Sequence, residues 1–304
     1  MKTEKAILAR EKYEKEAFKR PNTIGVAVGN RIKGGRDTGE PCVSVLLERK
    51  VSPSTLSPME LHPKTIDIGG EKVKIDCIEV GKIRALNTNM DNQGSVDRKG
   101  KHRPLFPGIS IANRKITAGT IGFIVKCLDD DSICVLSNAH VLCESPFRGI
   151  SEAMGAKTVE SRGEDIISLE KSVAPYQARD IYQPGPHDGG TSNDKVANLK
   201  KMVLMSLKNP NYGDRAIGEL LPDIEYSTSI AEIGKPAGVR VPEVGMRLRK
   251  SGRTTGLTVG EITHIIATVN VSYNEGTAQV RECIIATTKS SGGDSGSPAV
   301  DDDN

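Results

Sequence analysis

The chain has 304 residues, room for two domains or one large one at roughly 100–200 residues per domain. Its apolar set of 37% and its 31 glycines together reach the roughly 47% typical of a globular protein, and 27% charged residues exclude a disordered acidic chain or a fibre. With 42 basic against 39 acidic residues the net charge is +3, too small to argue for a nucleic-acid partner, and no apolar run approaches the ~18–20 residues that cross a bilayer. There is no Trp, and only six Tyr and four Phe, so the core must be built from Val, Ile, Leu and Ala.

Residues 3–20 read as one surface helix with Ala6, Leu8, Tyr13 and Phe18 as its apolar points, stopped by Pro21. Charges throughout this stretch leave no signal-peptide core, which predicts a cytoplasmic protein with its six cysteines as buried thiols. From residue 22 the pattern turns to β: TIGVAVG, CVSVLLERKV and EKVKIDCIEVG are alternating or β-branched runs separated by Gly- and Pro-containing loops. The three prolines of VSPSTLSPMELHPKTID allow a short helix there but no central strand. Residues 1–85 therefore read as a helix leading a small α+β module.

Residues 86–108 are polar and rich in Asn, Gly and Lys, and read as a linker; the basic cluster from Arg98 to Arg103 has no aromatic platform for bases and reads as a solvated tether. Beyond 109 the chain is β again. GFIVKCL and ICVLSNA flank the acidic turn DDDS as a hairpin, and KVANL, DRAIGEL, MRLRKSG, LTVGEITHIIATVNVSY and QVRECIIATT continue as strands. Many short strands with Gly-rich turns predict a sandwich or a barrel pair.

Two places carry chemistry. In SSGGDSGSPAV, Gly292, Gly293 and Gly296 surround Ser295. A nucleophilic serine needs a tight turn whose N–H groups converge where an oxyanion develops, and those of Gly293 and Ser295 are the candidate pair. In VLSNAHVL, His140 closes an apolar strand, and the small Ser137, Asn138 and Ala139 leave room for its ring and a carboxylate partner. Cys134, His140 and Cys143 offer three candidate ligands, short of the four a structural zinc site typically needs, so no metal is expected.

S-N-A-H-V-L followed by G-G-D-S-G-S-P, together with TAGTIGF and K-S-G-R-T-T-G-L-T-V-G-E-I, resembles the trypsin/chymotrypsin-like serine proteases over residues 109–304. The resemblance implies a mainly β, trypsin-like double β-barrel as the domain 109–304, preceded by the α+β module. It implies a serine endopeptidase acting on polypeptides through an acyl-enzyme, with Ser295 as nucleophile, His140 as general base and acid, the N–H groups of Gly293 and Ser295 as oxyanion hole, and no cofactor. A buried carboxylate should lie between histidine and serine. Asp214 in NYGDRAIGEL matches best, Asp188 in QPGPHDGG is the main alternative acid, and Asp194 and Asp223 remain open. By the same resemblance Asp294 forms an ion pair shaping the oxyanion turn, with Arg253 or Arg247 as internal cation, and Lys289 lies near the base of the substrate pocket, where a buried lysine would favour Asp or Glu before the cleaved bond.

Family members carry further strands after the serine, so the second barrel is expected to be incomplete at the C-terminus and this chain alone weakly active or inactive. That keeps a second expectation open, an inactive protease-like binding module or a fragment lacking the C-terminal strands, and leaves the N-terminal module for a regulatory or substrate protein. No nucleic acid or membrane partner is expected. An α/β-hydrolase is excluded by order, because no histidine follows Ser295, and GRTTG lacks the spacing of a phosphate-binding loop.

Overall fold

The computed structural model describes residues 2–85, 96–116, 118–147, 157–161, 164–168 and 179–304, and shows a mainly β chain. It comprises two compact units: Met1–Arg84 with Val241–Met246 and Glu261–Thr287, and Ala85–Arg240 with Arg247–Gly260 and Thr288–Asn304. The division departs from the expected single domain over 109–304. The reason is strand pairing. Gly25 pairs with Val269 and Val28 with Ile265, so the distal part of the Gly256–Tyr273 strand belongs to the sheet of the first unit. Within the expected linker, residues 86–95 lie outside the described residues, whereas 96–108 are built into the second unit. There Leu105 is fully buried, and the buried Arg98 guanidinium donates to Gly108 O at 2.8 Å and Ser251 Oγ at 2.7 Å and pairs with Glu232.

In the first unit the strand order is Gly276–Ala286, Gly256–Tyr273, Thr23–Lys33, Arg36–Leu47, Glu71–Glu79 and Thr65–Ile68, all antiparallel except the parallel pair Arg36–Leu47 and Glu71–Glu79. TIGVAVG is apolar on consecutive residues because both faces are covered: Val26 and Val28 pack under the helix Lys2–Ala17, Ala27 against Leu46, Ala267 and Val269. The helix buries Ala6, Ala9, Arg10, Tyr13, Glu14 and Ala17, one 3.6-period stripe. Leu8, expected among the apolar points, is 52% exposed, since it sits off that stripe. The stripe was hard to see because it consists of alanines and a buried ion pair, Arg10–Glu14 at 2.6 Å, with Glu14 also accepting from Arg281 at 2.8 Å and Thr268 at 3.1 Å.

The His62 ring joins this unit's loop to its helix: Nδ1 meets the Tyr13 hydroxyl at 2.9 Å and Nε2 meets Thr23 Oγ1 at 3.3 Å. Burial, and then the charge of Arg20, lower its pKa from 6.5 to about 4. Between those values the unfolded chain binds a proton the folded chain refuses. Stability is therefore full above pH 6.5 and falls as the pH drops toward 4, by on the order of 1–3 kcal/mol after allowing for the ring's partial exposure. Chemical denaturation at pH 7.5 and 4.5 should show this loss, and His62→Gln should flatten it; an equal loss in both proteins would refute the assignment.

The second unit's sheet runs Gly119–Thr120, Ser110–Asn113, Asp180–Tyr182, Lys195–Leu204, Ala216–Leu220, Ile133–Ser137, Phe123–Lys126, with Glu164–Ser168 also pairing to Lys195–Leu204 and Lys157–Ser161 to Glu164–Ser168. The expected hairpin is present, Phe123 facing Leu136 and Lys126 facing Ile133. Ile109, Ile111, Ile121, Leu142, Ile181 and Leu199 are fully buried in one cluster, each worth about 1.5–3 kcal/mol of transfer free energy. The strand Arg247–Gly252 pairs with Ala299–Val300 in register Arg249 to Val300 and Lys250 to Ala299. All six cysteines are free thiols; Cys77 and Cys283 are half-buried and the others buried.

Candidate active site

The Ile133–Ser137 strand ends where a short helix, Ala139–Leu142, begins, and Asn138 in extended conformation makes the corner. Across the strand pair Ser137 faces Ala216, so the residues before Ala216 are delivered beside His140. Asp214 lies there. Its Oδ1 accepts the backbone N–H of His140 at 3.1 Å, its Oδ2 bonds His140 Nδ1, and its carbonyl accepts Asn138 Nδ2 at 2.6 Å. The two side chains are 17% and 9% exposed and His140 Nε2 is itself buried, so the pair is largely withdrawn from water.

The other candidate acids are occupied elsewhere. Asp188 ends the 3-10 turn Pro186–Asp188 and forms a buried two-point pair with Arg253, Nε to Oδ2 at 2.8 Å and Nη2 to Oδ1, with Ser110 Oγ donating to Oδ2 at 2.6 Å. Asp194 caps its own turn through the Thr191 N–H and hydroxyl and pairs with Lys101 at 2.8 Å. Lys101 and the Thr191 donors hold its carboxyl at about 2. Asp223 is exposed. Of the three would-be metal ligands, Cys143 Sγ donates to Ala139 O and His140 is committed to Asp214.

The Ser295 turn is held from beneath. Thr120 N donates to Ser295 O at 2.8 Å, Thr120 Oγ1 to Gly293 O at 2.8 Å and Thr254 Oγ1 to Gly292 O at 2.6 Å. With these carbonyls drawn one way, no hydrogen bond among the described residues takes up the N–H of Gly293 or Ser295, and both remain available as donors. Gly293 has φ +94°, a left-handed conformation, and a Cβ there would come within 2.5 Å of Thr254 Oγ1. Gly296, at φ +86°, packs so closely that a Cβ would lie 2.0 Å from Ser137 Oγ and 2.6 Å from Thr120 O. Thus the Ser295 turn rests on the strand end that carries His140. Gly296→Ala combines the left-handed penalty with overpacking and should cost about 2–5 kcal/mol; urea denaturation measures it, and a loss below about 1 kcal/mol would show that the turn does not press on that strand.

Asp294 is fully buried. Its carboxylate takes Thr254 N at 2.8 Å, Thr255 N at 3.1 Å, Thr255 Oγ1 at 2.7 Å, Ser291 N at 3.0 Å and Lys250 Nζ at 3.1 Å. Burial pushes this carboxyl up, but Lys250 and the surrounding donors outweigh it and hold it below the ordinary range. The cation is therefore Lys250, a correction to the expected Arg253, which holds Asp188, and Arg247, which lies near the surface against Asp302 at 3.2 Å. In MRLRKSG nothing local distinguishes Lys250 from its two arginine neighbours; the supporting hydroxyls of Thr254 and Thr255 were legible only as GRTTG. Lys289 is exposed, with its carbonyl accepting Thr258 Oγ1 at 3.2 Å, so the desolvation argument for an acidic substrate side chain does not apply to it.

No protein-family model and no curated protein matches the chain. Among solved structures it is similar to Nocardiopsis protease, with 16% identity, 64% of this chain and 78% of that chain covered and a TM-score of 0.37. It is also similar to Cellulomonas bogoriensis chymotrypsin, with 20% identity, 64% and 76% covered and a TM-score of 0.37. Thermobifida fusca protease A matches at 16% identity over 64% and 76%, with a TM-score of 0.36.

Proposed function

We propose that the chain is a serine endopeptidase of the chymotrypsin-like type. The observation that carries this reading is the Asp214 carboxylate, which accepts both the backbone N–H and Nδ1 of His140 at the strand end on which the Gly296 turn packs. A carboxylate in that place keeps the proton on Nδ1 and leaves Nε2 as the basic atom. Ser295 Oγ attacks the peptide carbonyl, its proton passes to His140 Nε2, and the C–N bond breaks as the imidazolium returns that proton to the leaving amine. Water then repeats the sequence on the acyl-enzyme and releases the acid. Charge on the carbonyl oxygen meets the N–H groups of Gly293 and Ser295, where a single donor is worth about a hundred- to a thousand-fold in rate.

Labelling with a fluorophosphonate, followed by mass mapping of the adduct, tests this without choosing a peptide. One adduct on Ser295, absent in Ser295→Ala, is expected. An unlabelled protein, or an adduct on another serine that survives Ser295→Ala, refutes the reading.

A further inference from the structure

The first unit contains a cavity of about 500 Å³, formed within residues 21–77. Leu47, Ile75 and Cys77 line it from the sheet, and Val51, Leu56 and Leu61 from the connection that follows Leu47. This connection cannot fill the space as a helix or strand, because Pro53, Pro58 and Pro63 interrupt it and only the 3-10 turn Pro53–Thr55 forms. The apolar residues stay partly open to water, Val51 at 40% and Leu61 at 38%, an arrangement that costs about 25 cal/mol per Å² of apolar surface unless something covers it.

The charged groups at this cavity are unbalanced. Arg49, Lys50 and Lys64 line it against one acid, Glu60, whose Oε2 is taken by the Ser57 N–H at 2.9 Å and hydroxyl at 2.7 Å. Among the described residues no carboxylate forms an ion pair with the side chain of Arg49 or Lys64, while at Lys50 the Glu79 carboxylate accepts the backbone N–H at 2.8 Å. Lys50 Nζ donates to Cys77 O at 3.0 Å, which uses one of its three protons. The other polar lining is already satisfied: His62 by Tyr13 and Thr23, Asn22 by the backbone of Arg49. An apolar hollow rimmed by three exposed cations, with Glu60 the one acid in its lining, favours an amphiphile of negative charge.

We propose that this cavity binds a small aliphatic carboxylate, its chain among Leu47, Leu56, Leu61 and Ile75 and its head at Arg49, Lys50 and Lys64. The site lies within the first unit and does not depend on the protease reading. Calorimetric titration of the full chain with octanoate should show saturable binding, with 1-octanol weaker by about tenfold, the value of one charge-assisted hydrogen bond. Arg49→Ala with Lys64→Ala should weaken octanoate by about tenfold and leave octanol unchanged. A readout on the unaltered protein comes from Cys77: saturating octanoate should slow its alkylation by N-ethylmaleimide relative to Cys283, the other half-buried thiol. Absence of saturable octanoate binding, equal affinity for octanol, or unchanged alkylation of Cys77 would each overturn the proposal.

Discussion

Asp214→Asn is expected to slow fluorophosphonate labelling of Ser295 by about ten-thousand-fold while the protein stays folded. The two oxygens of Asp214 both accept, one from the backbone N–H of His140 and one from Nδ1. An amide offers one acceptor and one donor. Its nitrogen cannot face the backbone N–H, which is fixed as a donor, so it turns to Nδ1 and forces the ring's proton onto Nε2. The base is then blocked in place rather than removed. The anchor from Asn138 Nδ2 to the Asp214 carbonyl is unchanged, so circular dichroism and the unfolding midpoint should move little. The measurement is the second-order labelling rate of variant against wild type. A loss under about tenfold would mean that Asp214 does not set the tautomer of His140.

Lys250→Met is expected to destabilise the second unit by about 3–5 kcal/mol and to slow labelling of Ser295 by about a hundred- to a thousand-fold. Lys250 is 10% exposed and Asp294 not at all, so removing the ammonium leaves a carboxylate buried without a counter-charge. That carboxylate sits between Gly293 and Ser295, and the turn it anchors carries both proposed oxyanion donors. In the wild-type protein the Asp294 carboxyl lies below 3.8, so its stabilising contribution is present above that pH and disappears only as the pH falls through the lowered value. Without Lys250 the same carboxyl loses the largest of the influences that lower it, so its pKa moves up from the wild-type value, held down only by the donors of Thr254, Thr255 and Ser291. The variant's deficit is therefore largest at neutral pH and shrinks as the carboxyl takes up its proton on acidification. Urea denaturation from neutral to acid pH reads this, and Lys250→Met with Asp294→Asn should recover much of the lost stability. A deficit below about 1 kcal/mol, or one that grows on acidification, would remove Lys250 from this role.

Much of the local structure was legible in the residues. The leading helix, the proline-interrupted connection, the hairpin over Phe123–Lys126 and Ile133–Ser137 and the later strands all follow from periodicity and turn chemistry, which act between near neighbours. The helix's inward face was misread at Leu8 because its stripe is made of alanines and an ion pair, neither of which raises a hydrophobic signal. The tether reading of Arg98 failed for a related reason: a basic residue inside a polar run looks solvated until its partners, Gly108, Ser251 and Glu232, are known.

By itself the order of amino acids determined that the chain is mainly β, that His140 closes a strand, and that Ser295 sits in a turn only glycine can make. These are properties of short stretches, decided by alternation and by allowed φ. The family resemblance favoured Asp214 among four aspartates, and the structure brings it to His140; the tertiary structure alone decided that Lys250 and not Arg247 or Arg253 neutralises Asp294, and that Glu261–Thr287 joins the first unit's sheet. Partners for a buried charge are chosen by strand register across long separations, and a one-residue shift in register turns every side chain to the opposite face. No local pattern carries that choice.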